Sequence, residues 1–170
     1  MPDWTLDSLN RPQDEDALRD ALHRCCAAQS WISSIDGGRP YRDEDALGDA
    51  SDEATAALDA AGLAEALDGH PRIGQQAPSH SGAWSRQEQA GVSAADGSVR
   101  ADLAAANAAY EERFGQLYLV CATGRSADQL LALCRARLTN DPRTEHAVVL
   151  DELAKINRLR LGKLLHAESS

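Results

Sequence analysis

The stretch DPRTEHAVVLDELAKINRLRLGKLL, Asp141 to Leu165, decides the fold. Asp141 can cap a helix with its carboxylate, and Pro142 at the first helical position has a φ already suited to the helix and lacks only an N–H that would find no intrahelical partner. Val149, Leu153, Ile156 and Leu164 then recur at the three-and-four spacing of one buried stripe. The pattern predicts a long helix running to about Leu165 and packed against other helices. One residue breaks the rule: Arg160 stands four positions after Ile156, inside the stripe. A guanidinium removed from water is strongly destabilising unless compensated, so Arg160 must reach solvent with its head, meet a carboxylate, or line a cavity that receives an anion. Arg158 instead shares the other side with Asp151, Ala154, Lys155 and Gly162, where a charge stays hydrated.

Upstream, Ser126 and Gln129 have capping-box spacing before a helix carrying Leu130, Leu131, Cys134 and Leu138. The longest apolar run, Leu117 to Ala122, precedes it and reads through Cys121 as a buried extended piece. Val99, Leu103, Ala106 and Tyr110 form another helical stripe, broken at Gly115. Ser85 and Glu88 again have capping-box spacing, with Gly91 as a candidate interruption of the short element they open. Gln75 to Gly82 is polar, carries Pro, Ser and Gly, and reads as a surface loop. In the first half, a helix is expected after Asn10, with Pro12 near its first turn, Asp14, Glu15 and Asp16 at its positive end, and Leu18, Ala21, Leu22 and Cys25 on one face, ending about Ala28. A turn at Asp36–Pro40 separates it from a helix starting at Ser51 or Asp52, with Ala54, Ala57, Leu58 and Ala61 as stripe and Gly62 ending or bending it. The expectation is all-α: a compact single-domain bundle spanning residues 1–170, with about six to nine helices and a short extended segment near 117–123.

Composition agrees and excludes several function classes. A chain of 170 residues with 43% hydrophobic and 26% charged residues has material for one core, and with only 4% aromatic residues that core is built from Ala and Leu, both strong helix formers. Seventeen Lys and Arg against 27 Asp and Glu give a net charge of −10, which repels a phosphate backbone, so no nucleic-acid partner is expected. No apolar run approaches the ~20 residues that span a bilayer, so no membrane partner is expected either. The N-terminus lacks a signal-peptide pattern and the C-terminus a peroxisomal tripeptide, and a cytoplasmic location is expected by default. Cys25, Cys26, Cys121 and Cys134 show no zinc-ligand spacing and read as reduced, buried thiols.

Few residues resist a purely structural reading. His70 precedes Pro71, which disfavours helical dihedrals, so it belongs to a loop or element end and is a candidate acid or base as well as a capping histidine. Ser85 and Glu88 are explained equally well as a reciprocal cap, and Gln89 adds an amide. Gly124-Arg125-Ser126 follows an apolar run but lacks the phosphate-loop pattern, and nucleotide binding is rejected. Nucleophile elbows and His-Glu-x-x-His helices are absent.

In series, His70-Pro71-Arg72-Ile73-Gly74, Trp84-Ser85-Arg86-Gln87-Glu88-Gln89, Tyr110-Glu111-Glu112-Arg113-Phe114-Gly115, Leu119 to Ser126, and Lys155-Ile156 with Leu159-Arg160-Leu161 resemble one family. It is the 2-oxo-4-hydroxy-4-carboxy-5-ureidoimidazoline (OHCU) decarboxylases of urate degradation. The likeness runs from Leu9-Asn10, Trp31 and Arg39-Pro40 to Leu165. It implies an all-α fold, commonly a homodimer, that takes OHCU as a small-molecule substrate, needs no metal or organic cofactor, and releases CO2 to leave (S)-allantoin. The family's catalytic histidine, glutamate and arginine are carried onto His70, Glu88 and Arg160; Pro71, Ser85 and Gln89 match pocket positions, and the backbone of Cys121, Ala122, Thr123 and Gly124 is similar to a ligand-contacting stretch. Leu18 departs from the family's usual phenylalanine, which concerns packing.

The resemblance makes chemical sense. Losing CO2 from the quaternary ring carbon leaves an electron pair that the adjacent C=N accepts, so the substrate is its own electron sink. The protein must supply orientation, polarisation and a proton to one face. Two other readings compete: a non-catalytic helical scaffold whose acidic surface recruits basic proteins, and a metal-dependent lyase using His70, His80 and Glu88.

Overall fold

In the computed structural model, residues 3–70, 72–73, 84, 87–93 and 97–166 are described. Pro71, Ser85, His80 and the expected loop 75–82 lie outside them. Nine helices are placed among the described residues: α1 Leu6–Asn10, α2 Glu15–Cys25, α3 Gln29–Gly37, α4 Glu44–Ala56, α5 Ala60–Asp68, α6 Ala90–Ser93, α7 Gly97–Phe114, α8 Ala127–Arg137 and α9 Pro142–Leu165. No strand occurs among these residues, so the all-α expectation holds. Residues 117–122 run outside any helix between α7 and α8, where the extended segment was expected.

The chain packs as two compact units, Met1–Gly69 with Ala154–Ser170, and His70–Leu153. In the first, caps set the helix starts. Thr5 and Ser8 form a capping box on α1, Asp14 accepts from the amides of Asp16 and Ala17, Asp43 from Ala46, and Asp59 from Gly62. Each carboxylate or hydroxyl satisfies N–H groups that have no intrahelical acceptor and sits at the positive end of the helix dipole. These caps correct the expected boundaries. Asp14 starts α2, leaving Pro12 outside it, and the helix ends at Cys25 rather than near Ala28. Asp43 starts α4 well before Ser51, which is instead buried mid-helix. Helix α3 was not foreseen: its cap residue, Ala28, offers no side-chain hydrogen bond, and Ser33 and Ser34 weaken its pattern. Its buried Trp31, Ile32 and Ile35 nevertheless make it the centre of this unit, packed on α2, α4 and α5.

Polar contacts tie the loops of this unit. Asn10 and Tyr41 bond reciprocally, Nδ2 to carbonyl at 2.8 Å and amide to Oδ1 at 2.7 Å. Arg39 binds Asp36 at 2.5 Å and Glu15 at 2.9 Å. A buried chain then runs from Trp31 Nε1 to Ser51 Oγ (3.2 Å), from Thr55 Oγ1 to the Ser51 carbonyl (2.8 Å), and from Asn157 Nδ2 to Thr55 Oγ1 (3.1 Å). It fixes the last part of α9 against α4 and α3.

In the second unit α7 lies along α8, and Leu103, Ala106, Tyr110, Tyr118, Val120, Leu130 and Cys134 share one core. The capping box at Ser126 and Gln129 is present with both of its bonds. Gly115 ends α7 at φ +68°, a left-handed conformation open to glycine without a steric penalty.

Candidate active site

His70 is half-buried at a bend just past Gly69, the residue that caps α5, outside a helix as expected from its neighbour Pro71. The chain beyond it is pinned to α7 twice. Arg72 Nε donates to Glu111 at 2.5 Å, and the buried Ile73 carbonyl accepts from Asn107 Nδ2 at 3.1 Å. The hydrogen bond to Glu111 and its charge hold the Arg72 pKa above its ordinary value.

Glu88 and Gln89 are both half-buried, Glu88 in a helical turn just ahead of α6. The Gln89 carbonyl accepts from Val92 N–H at 3.0 Å, and Val92 is buried in the unit's core. Gly91 lies inside α6, and the break between the turn holding Glu88 and α6 falls at Gln89 rather than at Gly91, which has a packing role. A Cβ added to it would fall well inside contact distance of the Arg125 carbonyl oxygen and 3.2 Å from both the Arg125 carbonyl carbon and Ser126 Cα.

Cys121 to Gly124 lie beside this contact. Cys121 is half-buried, Ala122 buried, and Thr123 and Gly124 exposed, in a turn closed by Arg125 N–H to the Ala122 carbonyl at 3.0 Å. Gly124 takes φ +76°, which a turn of this kind reserves for glycine. Burial raises the Cys121 thiol pKa; the Thr123 amide opposes this, the Glu152 and Glu88 carboxylates add to it, and Arg125 opposes it. Glu88 and the 121–124 segment, far apart in sequence, are therefore within electrostatic range of one another.

Three charged residues in this unit, Arg137, Glu145 and Glu152, were missed by sequence reasoning. Glu152 on α9 is buried, and its charge is felt by Cys121 and Tyr118. Arg137 at the end of α8 donates from Nη1 to the Leu119 carbonyl at 2.7 Å and from Nε to Glu145 Oε1 at 2.7 Å. Tyr110 OH and Asn140 Nδ2 complete the carboxylate's bonds at 2.5 and 3.0 Å. Burial pulls the Arg137 pKa down, but the bond and charge of Glu145 outweigh it and leave the pKa raised. The extended segment thus has its entry fixed by a buried ion pair.

Arg160 is 2% exposed on α9, and Val149, Leu153, Ile156 and Leu164, the other members of its stripe along that helix, are all buried. That removes the solvent-reaching alternative. Its positive charge acts on Cys25 and Cys26, yet burial dominates and the two thiols are pushed up to about 12 and about 11. Arg158 is 40% exposed and bonds Asp52 at 2.7 Å and Asp49 at 3.3 Å, the hydrated role expected of it. All four cysteines are free, three of them buried. Among the described residues no group of His, Cys, Asp and Glu could hold a metal ion. A cleft of about 280 Å³ in the second unit, lined by Arg72, Arg100, Asn107, Glu111 and apolar Leu103 and Val92, includes none of the site residues named from sequence.

Residues 11–162 match the family model of OHCU decarboxylases. The chain belongs to the OHCU decarboxylase family. It is 26% identical over 171 residues to the 2-oxo-4-hydroxy-4-carboxy-5-ureidoimidazoline decarboxylase of Amia calva, a match covering 97% of this chain and 95% of the relative. It is 28% identical over 145 residues to the uric acid degradation bifunctional protein TTL of Arabidopsis thaliana, covering 82% of this chain but 45% of that longer protein, so it spans less than half of the plant relative. Among solved structures, a crystal structure of OHCU decarboxylase in the presence of (S)-allantoin superposes with a TM-score of 0.74 at 23% identity, covering 86% of this chain and 97% of that one. A crystal structure of (S)-allantoin synthase gives 0.70 at 14% identity, covering 95% of this chain and 53% of that one. At these identities the structural matches establish the OHCU decarboxylase fold.

Proposed function

We propose that this chain is a carboxy-lyase that converts OHCU to (S)-allantoin and CO2, the last step in turning urate into allantoin. What carries the reading is the family match over residues 11–162, joined to a relative of the same activity matched along 95% of its length. No cofactor is needed, because the electron pair released with CO2 moves into the neighbouring ring C=N.

His70 assists deprotonation or orientation at the 4-hydroxyl and later supplies or relays a proton to the carbon bearing the ureido group. Glu88 and Gln89 hold the ureido and ring N–H groups, with Ser85 and Pro71 as further pocket residues. The Cys121, Ala122, Thr123 and Gly124 backbone presents amides and carbonyls to the planar ring, and Arg160 clamps substrate oxygen atoms through its planar fork. The grouping of Glu88 with the 121–124 segment supports this assignment.

The test generates the short-lived ureidoimidazoline from urate in a coupled assay and follows the circular-dichroism signal of the chiral product. Catalytic amounts of this protein accelerate its appearance, and full activity persists after chelation. An inert protein overturns the reading in favour of a scaffold; loss on chelation, restored by metal, overturns the cofactor-independent mechanism. We further propose a homodimer, to be checked by sedimentation, and a cytoplasmic location, which four free thiols suit and cell fractionation tests.

A further inference from the structure

Among the described glycines Gly91 is exceptional in what it touches. A Cβ at Gly38 would meet the Tyr41 hydroxyl first, and one at Gly48 the end of the Arg158 side chain, so the nearest atoms there belong to side chains. A Cβ at Gly91 would meet only main chain: the Arg125 carbonyl and Ser126 Cα. That main chain is stiff on both sides. Arg125 N–H closes the turn onto the Ala122 carbonyl at 3.0 Å, and Ser126 caps α8, its Oγ accepting from Gln129 N–H at 3.2 Å. On the other partner, the Val92 N–H bond to the Gln89 carbonyl and the burial of Val92 link the Gly91 segment to Gln89, the residue next to Glu88.

We propose that Gly91 is a positioning residue: by lacking a side chain it lets α6 dock main chain to main chain on the Arg125–Ser126 junction, and this sets the distance between Glu88 and the Cys121–Gly124 backbone. The proposal rests on the decarboxylase reading for its kinetic consequence but not for its geometry. Adding one methyl group would drive the two segments apart by on the order of 1 Å, a displacement that costs roughly 100-fold when it separates groups holding one substrate.

The test compares Gly91→Ala with Glu88→Gln, and with Ala90→Ser at the neighbouring exposed position as control. Gly91→Ala is expected to lower kcat/KM by roughly 30- to 100-fold, mostly in kcat, with a cooperative melt retained, while Ala90→Ser leaves activity unchanged. A second readout is independent of activity. The charged groups acting on the Cys121 thiol are Glu152, Glu88 and Arg125. Moving or neutralising Glu88 removes one anionic influence, so the pH profile of Cys121 alkylation in the native protein shifts to lower pH in both Gly91→Ala and Glu88→Gln. Wild-type kinetics within threefold in Gly91→Ala, or lost activity with an unmoved Cys121 profile, overturns the proposal. If Gly91→Ala does not fold, amide exchange of the wild type decides: the Val92 amide must exchange as slowly as those of α8, and free exchange there overturns the docking. If the wild type shows no decarboxylase activity, the functional reading fails, and the thiol profile and amide exchange still judge Gly91.

Discussion

Replacing Arg137 with methionine should destabilise the protein far more than an ordinary surface change. Glu145 is completely buried and holds Arg137 through its Oε1, with Nε at 2.7 Å and Nη2 at 2.5 Å. The guanidinium also binds the Leu119 carbonyl at 2.7 Å and lies 4.9 Å from the Tyr118 ring centre. Methionine fills much of the volume but leaves the carboxylate with only two neutral donors, Tyr110 and Asn140, and no counter-charge. Breaking one side of a buried ion pair costs about 3–5 kcal/mol. For a chain of this size that corresponds to a fall in Tm of roughly 6–20 °C, a large share of the ~5–15 kcal/mol that holds a typical domain. The double variant Arg137→Met/Glu145→Gln keeps the shape and removes the stranded charge, so it should recover about 2 kcal/mol relative to Arg137→Met. The melts are followed by circular dichroism at pH 7, with a double-mutant cycle built from the four proteins. A Tm for Arg137→Met within about 2 °C of wild type, or strictly additive single and double effects, would refute this account of the pair.

Three further outcomes are expected. His70→Asn lowers kcat/KM by about 10²–10⁴-fold in the coupled assay; a residual activity within threefold of wild type removes His70 from the acid–base role. Arg160→Lys retains charge and loses the planar fork, so it folds but binds substrate poorly, with KM raised at least tenfold; a fully active variant means bidentate recognition was wrongly assigned. Stability falls as pH rises above about 9, because Cys25 and Cys26 ionise when unfolded near 9 but in the native protein only near about 12 and about 11. Between those values the native state holds protons that the unfolded state has released, so each thiol removes about 1.4 kcal/mol per pH unit; urea midpoints between pH 8 and 10.5 measure this, and Cys25→Ala flattens the slope.

The second half of the fold was legible because its signals are local. The Asp141-Pro142 start, the Ser126–Gln129 box and the stop at Gly115 act within a few residues of themselves, and all stand in the structure. The first half was blurred because its decisive residues, Asp43 and Asp59, are one kind of cap among many acidic residues. Helix α3 has no side-chain cap, and tertiary burial of Trp31, Ile32 and Ile35 holds it in place. His70 at an element end was readable from the proline that follows it, and Arg160 on a buried stripe from its spacing. The electrostatic influence of Glu88 on Cys121 was not, since a pairing across more than thirty residues leaves no periodic trace.

The same stripe rule that singles out Arg160 also reaches the polar groups that were overlooked. Arg137 stands three residues after Cys134, Glu145 four before Val149, and Glu152 four before Ile156, each one helical turn from a buried stripe residue. All three are buried, while Leu138, which hydrophobicity put on the stripe in place of Arg137, is only half-buried. Position on the helix stripe tracks burial here better than the hydrophobicity of the single residue does. In the reaction proposed above the substrate accepts its own electrons, and the protein's contribution would then lie in holding polar groups at fixed positions in a dry interior. Buried ionic residues and the proposed close approach at Gly91 are features of that kind, and neither announces itself as a catalytic motif.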